Sequence, residues 1–571
     1  MPVDEDQLAP HVAPVVFRRS PVSDVDEFSR ERSVRAGDPG DLRCVESAPR
    51  GSCCADTSCI AVCPVQCIRP RPGDDDFGTT EQLYIDPTVC IDCGACADAC
   101  PVDAIVHESA PAADHHTGVN SEYFTERPIR DPRPSPIPRR NPRRHGGLRV
   151  AVIGAGPAGL YATEELSALP GVEVNVFERL PTPYGLVRAG VAPDHPQTKR
   201  IAHTFARLLR RRNVHCWFNT EVGKHIALAE LLQTHNAVLV TSGASQDRRL
   251  SVPGEDLPGS HGAHEFVAWC NGHPDFADRR FDLQGRRAVV IGDGNVALDV
   301  ARVLARPVEA FHGTDMADDA LDALRTRRFE EKSVVGRRGP DAAAYGTAEL
   351  ASIAQLDGVS LLAHAAEVGA DHSRRSEDRS SRTMADRARR AQIVADATKR
   401  EPLGTRITLR FGLTPTVISG SEHVDGVLFA RADGSTEHID ASLVIRAIGF
   451  RGTPIAGLPF DGASGTIPQR DGRVLRGSPG RWLVGVYCAG WIKRGPSGVI
   501  GTNRIDASET ISAILEDHSS SRLPSPRAHQ SELADLVRRR NPDLVTLEGW
   551  MRIEEKEARN GARHPAFHWS R

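Results

Sequence analysis

Leu148-Arg149-Val150-Ala151-Val152-Ile153-Gly154-Ala155-Gly156-Pro157-Ala158-Gly159 is a short apolar run that breaks on glycines and then turns helical. The run predicts a buried strand, and the pattern from Pro157 to Leu169 predicts a helix. Gly154, Gly156 and Gly159 stand where the turn must be tight and where backbone must approach a pyrophosphate seated at the positive helix N-terminus. A glycine turn without any nucleotide has the same local pattern, so the next strand separates the two readings. Val172–Glu178 ends on an acid 24 residues beyond Gly154, suited to accept from ribose hydroxyls. The combination predicts an adenine dinucleotide with unmodified ribose, either NAD or FAD.

The strand–glycine–helix unit recurs over Arg287–Ala305, where Ala288–Ile291 leads into Gly292-Asp293-Gly294-Asn295-Val296-Ala297. Alanine in the third small position still allows close helix–strand packing. After an insertion the following strand ends Val334-Val335-Gly336-Arg337-Arg338, with two arginines where Glu178 stood in the first unit. Fork-shaped cations there favour a 2′-phosphate over a free hydroxyl, so this site reads as NADP. A solvated surface is the bland reading of an arginine pair; its position beside a nucleotide loop outweighs it. Asp293 is unfavourable close to phosphates unless its side chain points away, so its backbone is expected to make the contact.

Upstream lies a different texture. The chain holds 13 cysteines, nine of them between Cys53 and Cys100. Shifted by 37 residues, this block aligns with itself without a gap: Cys53 meets Cys90, Cys59 meets Cys96, Cys63 meets Cys100, and Pro64 meets Pro101. The second copy, Cys90-x2-Cys93-x2-Cys96-x3-Cys100-Pro101, is the bacterial iron–sulfur ligand run, in which the fourth thiolate reaches the other cluster. Cys90, Cys93, Cys96 and Cys63 are therefore expected to hold a [4Fe–4S] cluster. In the first copy Asp56 stands at the position of Cys93, leaving Cys53, Cys59 and Cys100. Three thiolates suit a [3Fe–4S] cluster; alternatively, Asp56 binds a labile fourth iron through its harder oxygen. The register selects Cys53, with Cys54 beside it as a possible substitute, and Cys67 reads as a buried non-ligand. A zinc site or a disulfide knot does not explain a Cys-Pro at the same spacing in both halves.

The composition fits an ordinary folded enzyme. The chain has 571 residues, a net charge of −4, 40% hydrophobic and 26% charged residues, which excludes a wholly disordered protein. The balance gives no field toward nucleic acid or an anionic membrane. No run of about 18 apolar residues occurs, and the acidic start (Met1-Pro2-Val3-Asp4-Glu5-Asp6) is unlike a signal peptide. The expectations are a cytoplasmic protein, no membrane insertion and no nucleic-acid partner. The expected organisation is an irregular extension over 1–50, the iron–sulfur unit over 51–115 and a Pro/Arg-rich linker over 116–147. The first nucleotide domain covers 148–243 and 448–571, interrupted by the second over 244–447. Residues 371–400 read as a surface helix.

Two nucleotide sites beside iron–sulfur centres imply an electron path. NADPH yields a hydride, whereas a cluster takes one electron at a time; a flavin does both, so the first site is expected to hold FAD.

These motifs resemble the adrenodoxin-reductase-like ferredoxin–NADP reductases. The likeness continues in Pro183-Tyr184-Gly185-Leu186-Val187-Arg188, Gly190-Val191-Ala192-Pro193-Asp194-His195-Pro196, Gly294 to Arg302, Arg337-Arg338-Gly339-Pro340, and Gly490-Trp491-Ile492-Lys493-Arg494-Gly495-Pro496-Ser497-Gly498-Val499-Ile500. With a two-cluster ferredoxin in front, the chain resembles the actinobacterial fused type. The resemblance implies an α/β fold in which an FAD domain is interrupted by an NADP domain, both Rossmann-like, preceded by a small α+β iron–sulfur domain. It implies an NADPH–ferredoxin oxidoreductase whose partner is a soluble ferredoxin or another one-electron acceptor. Ala158, Glu178, Leu186 and Val222 match FAD-contacting positions, and Trp491 with Gly498, Val499 and Ile500 match the segment that covers the flavin. Asp293, Gly294, Asn295, Val296, Arg337, Arg338, Glu349 and Gly498 match NADP-contacting positions. His195 and Glu349 match residues near the flavin–nicotinamide junction, and Lys199, Arg200, Lys493 and Arg494 are candidates to face an acidic partner. Two other readings stand beside this one: an electron-input module of a larger glutamate-synthase-like complex, and a non-catalytic redox sensor.

Overall fold

Val150, Ala151 and Val152 are completely buried, as the apolar run demands, and their strand, Arg149–Ile153, is central in a seven-stranded sheet. The structure, a computed structural model, describes residues 44–46, 53–78, 80, 82–91, 93–107, 114–129, 147–368, 384–402, 404–477 and 480–563. Arg149–Ile153 pairs in parallel with Glu173–Phe177 on one side and Ala237–Val240 on the other. Val214–Trp217 and Arg481–Cys488 extend the parallel core, and Gln469–Arg470 and Arg473–Arg476 add an antiparallel edge. Helix Pro157–Ser167 packs against Thr502–Ser519 over this sheet. Strands buried on both faces account for the apolar runs without alternation.

The second sheet has six strands, all parallel, in the order Ser260–Gly262, Leu443–Arg446, Arg287–Ile291, Glu331–Val335, Thr405–Arg410, Val359–Ala363. A three-stranded antiparallel sheet, Thr414–Gly420, Val424–Ala430 and Thr436–Asp440, lies between two of these strands in sequence. The chain leaves the first domain at Gln246–Asp247 and returns at Phe450–Arg451, and these two crossings pair antiparallel. One domain therefore interrupts the other. The helix Met384–Ala397 is not a plain surface helix: Arg390 is buried and donates to the carbonyls of Ala343 and Tyr345 at 3.0 and 3.2 Å, and Val394 and Ala397 join the core. Its mixed charges mask that face in the sequence. Residues 371–383 lie outside the described residues.

The cysteine repeat is realised in the backbone. Helices Ser58–Val62 and Ala95–Ala99 begin 37 residues apart and end on Cys63 and Cys100 with matching φ,ψ (−71°, 113° and −71°, 116°). Ile68–Arg69 pairs with Tyr84–Ile85, and Cys44–Glu46, from the stretch expected to be irregular, pairs with Ile105–His107. The linker expected from residue 116 starts later, because Asp114–Glu126 is a helix. Tyr123 stacks on Tyr84 with ring centroids 4.0 Å apart, and the Asn120 side-chain oxygen accepts from the Ile85 N–H at 2.8 Å. The prolines that suggested a linker begin only at Pro128; residues 130–146 lie outside the described residues.

Candidate functional site

Gly154 has φ +105°, and a Cβ there would fall 2.6 Å from the Thr241 carbonyl oxygen. At Gly159 a Cβ would fall 2.0 Å from the Gly154 oxygen, so this glycine brings helix and strand together from behind the loop. Gly156 caps the helix and Pro157 opens it, where no N–H is lost. The Glu178 carboxylate accepts from the Ala155 and Leu180 N–H groups at 2.8 and 2.9 Å, and its burial raises its pKa above the usual carboxylate range. Gly490, at φ +79°, brings its backbone against Ala158, where a Cβ would come within 2.6 Å. Next to it, Trp491 stacks on Phe450 at 5.9 Å.

These residues surround a cavity of about 1250 Å³. Its walls bring together Gly154, Gly156, Ala158, Glu178, Leu186, Val222, Trp491, Gly498, Val499 and Ile500 with Asn295, Val296, His195 and Glu349. Gly159, Asp293, Gly294, Arg337 and Arg338 are not in its walls. The glycine cradle and the buried acid beside it fit the adenosine end of a dinucleotide such as FAD. In the second loop Gly292 has φ +137°, with a virtual Cβ 2.2 Å from the Ala447 oxygen, and Gly294 caps helix Asn295–Ala305. The Asn295 side-chain oxygen accepts from the Gly346 N–H at 2.6 Å. Arg337 and Arg338 are exposed at the strand end. Arg338 Nη2 lies 3.3 Å from Asp293 Oδ1, while the buried Oδ2 has no hydrogen-bond partner. The Asp293 carboxylate thus faces the arginine rather than open solvent.

His195 and Glu349 belong to a buried network that also includes Asp194, Asp299 and Arg302, which sequence reasoning did not single out. Arg302 Nε and Nη2 bind Asp194 at 2.7 and 3.1 Å, Nη1 binds Glu349 at 3.0 Å, and Nη2 binds Asp299 at 2.6 Å and also contacts His195 Nε2. His195 Nε2 lies 3.1 Å from Asp299 Oδ1. Burial alone would raise the Asp194 pKa, but Arg302 and Arg306 hold it well below the usual range. Three carboxylates against two guanidiniums leave one negative charge. Burial and Arg302 oppose protonation of His195, but the carboxylates Asp299 and Glu349 outweigh them and raise its pKa above 6.5. The signal available in the sequence was the Asp299–Arg302 spacing, three residues apart on one helix face.

The four cations proposed for an external partner are engaged internally. Lys199 binds Asp315 at 2.6 Å and is largely buried; Lys493 and Arg494 bind Asp506 at 2.6 and 3.2 Å; Arg200 pairs with Asp103 of the cysteine-rich unit. One-dimensional spacing does not reveal such partners, which lie 12 to 116 residues away.

Backbone N–H groups point at three sulfurs: Ala55 to Cys53 at 3.4 Å, Cys67 to Cys63 at 3.4 Å, and Ala104 to Cys100 at 3.2 Å. Such donors favour thiolates, the form that binds iron, and they fit a cluster. The Cys67 thiol and nearby backbone N–H groups hold the Cys63 pKa down to about 6. Cys67, taken from the repeat as a bystander, is buried with its sulfur 3.4 Å from that of Cys63 and in hydrogen-bond contact with Cys90, within the second sulfur set. Cys59 and Cys96 are buried, Cys90 is half-buried, and Cys93 is exposed. Asp56 is buried; its carboxylate accepts from Ser58, and its Oδ2 lies 3.4 Å from Arg504 Nη1.

Comparison with known proteins gives two family matches along the chain. The pyridine nucleotide-disulphide oxidoreductase family matches residues 148–332, and the 4Fe-4S binding domain family matches residues 83–106. A probable ferredoxin/ferredoxin–NADP reductase of Mycobacterium tuberculosis is 43% identical over 533 residues, 90% of each chain. The mitochondrial NADPH:adrenodoxin oxidoreductase of Arabidopsis thaliana is 35% identical over 440 residues, covering 72% of this chain and 91% of that one. Among solved structures, Mycobacterium tuberculosis FprA in complex with NADPH superposes with a TM-score of 0.68 at 38% identity, covering 74% of this chain and 96% of that chain. Among the described residues no helix is long and apolar enough to cross a membrane.

Proposed function

The chain belongs to the ferredoxin/ferredoxin–NADP reductase family, and on that premise we propose how its residues carry electrons from NADPH to a ferredoxin or a similar one-electron acceptor. It is an oxidoreductase of the ferredoxin–NADP(+) reductase type. The observation that carries the reading is the single cavity walled by both nucleotide loops and by Cys53. Bound FAD supplies the conversion between a two-electron hydride and single electrons.

The chain's own contributions are binding, orientation and charge. The Gly154–Gly159 turn and helix Pro157–Ser167 receive the pyrophosphate of FAD, Glu178 accepts from its ribose, and Trp491 with Gly498–Ile500 closes over the ring system. Gly292–Val296 receives NADPH, with Arg337 and Arg338 on the 2′-phosphate. Asp194, Asp299, Glu349 and Arg302 hold the His195 imidazole beside the nicotinamide end. Cys63, Cys90, Cys93 and Cys96 hold a [4Fe–4S] cluster, and Cys53, Cys59 and Cys100 hold a [3Fe–4S] cluster. For the latter, the supporting observation is that the Asp56 carboxylate is already engaged by Ser58 and Arg504. The setting proposed is the cytoplasm.

The test is a visible spectrum of the purified protein before and after anaerobic NADPH, with iron and sulfide analysis and electron paramagnetic resonance of the protein as isolated. Flavin bleaching together with a three-iron paramagnetic signal is expected. Absence of bleaching would sink the reductase reading, and a full complement of four-iron clusters would sink the three-iron assignment.

A further inference from the structure

We infer that the Cys53–Cys59–Cys100 site is the flavin-side centre of the iron–sulfur unit, and that Arg504 and Gly501 hold it against the flavin-covering segment. The inference rests on the reading above and adds an order to it. The walls of the nucleotide cavity include Cys53 and Cys54 but none of Cys63, Cys90, Cys93 or Cys96. The covering segment runs directly into the contact. Val499 and Ile500 line the cavity, and the next residue, Gly501, donates its N–H to the Cys54 carbonyl at 2.7 Å. A Cβ on Gly501 would lie 1.8 Å from the Ala55 carbonyl oxygen, so the two backbones touch with nothing between them. One turn later Arg504 Nη1 donates to the Asp56 carbonyl at 3.1 Å and to Ser58 Oγ at 3.0 Å, and it lies 3.4 Å from Asp56 Oδ2. Cys54, Val102 and Ala104 share a core with Leu160 and Tyr161, while Val499 and Ile505 pack against the core of the iron–sulfur unit.

The internal repeat makes the opposite end just as informative. Asp56 and Cys93 occupy equivalent positions, 37 residues apart, yet Asp56 is buried in this contact and Cys93 is exposed. The position is thus turned inward in one half of the repeat and outward in the other. The half that faces the flavin domain uses a carboxylate for Arg504, and the half that faces solvent keeps its thiolate. Electrons then enter at Cys53–Cys59–Cys100 and leave from Cys63–Cys90–Cys93–Cys96. The balance is one NADPH oxidised to NADP+ with release of one proton, and two one-electron acceptors reduced, the electrons passing singly through the inner site and then the outer one. Arg504 and Gly501 are positioning residues in this scheme; they touch neither substrate nor iron.

Rapid freeze-quench paramagnetic resonance of the holoprotein mixed anaerobically with NADPH, with flavin absorbance followed in parallel, tests the order. The three-iron signal is expected to change before any signal from the four-iron cluster. Arg504→Gln and Gly501→Ala should slow reduction of the three-iron site severalfold relative to flavin bleaching, and Arg504→Lys should restore part of that rate. Reduction of the four-iron cluster first, or an unaltered rate in both slowed variants, would overturn the inference while leaving the reductase reading intact. No flavin bleaching in the unmodified protein would overturn both.

Discussion

Arg302 grips Asp194 with two prongs, Nε to Oδ2 at 2.7 Å and Nη2 to Oδ1 at 3.1 Å, and both side chains are almost wholly enclosed. The pair links the loop preceding helix Pro196–Lys199, in the domain of the seven-stranded sheet, to helix Asn295–Ala305, in the domain of the six-stranded sheet. Two domains are thus tied by a buried charge pair at their junction.

Removing one partner of a buried pair leaves an uncompensated charge and costs about 3–5 kcal/mol. Arg302→Met is therefore expected to lower stability by that order, measured as a loss in denaturant midpoint. Asp194→Asn should lose less, because Arg302 keeps Asp299 and Glu349. Equal midpoints for wild type and Arg302→Met would show that the network carries no net stability.

Replacing Arg337 and Arg338 together by glutamine should raise the KM for NADPH at least tenfold while leaving that for NADH nearly unchanged, since fork-shaped cations act on the 2′-phosphate alone. Steady-state kinetics with both nucleotides check this. An unchanged preference would remove the two arginines from the nucleotide site.

Asp293 pulls the other way. Its carboxylate lies 3.3 Å from Arg338 inside a phosphate-binding loop. A unit charge about 4 Å away is worth about 1 kcal/mol in water. Asp293→Asn should therefore tighten NADPH by about fivefold with a smaller effect on NADH, and the gain should shrink at high salt. Titration of nucleotide binding at two ionic strengths decides it.

Lys332 is completely buried, and its ammonium donates to the Phe329 carbonyl at 2.8 Å. Burial, with Arg327 and Arg406 nearby, pushes its pKa from 10.5 down to about 7. Between these values the unfolded chain binds the proton and the folded one does not, so stability rises with pH across that window. Below about pH 7 the full penalty applies. Lys332→Met should raise the Tm at pH 7 and flatten its rise toward pH 10; a wild-type Tm that falls over that range in proportion to the variant's would contradict this.

Asp56→Cys restores the repeat. A fourth thiolate at the inner site should bring in one further iron per chain and abolish the three-iron signal. Its cost is the loss of the Arg504 contact, read as slower reduction of that site. Unchanged iron content would mean that the backbone at residue 56 directs the side chain away from the cluster.

Much of this was already legible in one dimension. Gly154-Ala155-Gly156 and Gly292-Asp293-Gly294 announce two nucleotide loops because a tight strand-to-helix turn leaves no room for a Cβ, a constraint written locally. The cysteine spacing did the same, since one cubane must be reached by residues close in sequence. The helix Asp114–Glu126 escaped because a Pro/Arg-rich stretch follows it directly from Arg127, while its tertiary support is Tyr123 stacking on Tyr84, 39 residues away.

The sequence by itself determined the local patterns: two glycine turns after strands, a cysteine repeat with Asp56 at the position of Cys93, and arginines at the end of the second unit. Only the tertiary structure decided the company these groups keep. It turned Asp56 toward Arg504, 448 residues away, put Arg302 among three carboxylates, and enclosed Lys199 that spacing had left free to face a partner. Loop closure and metal binding are short-range demands that leave their mark in adjacent residues. Charge pairing in a folded interior joins groups from distant segments, and nothing local records which will meet.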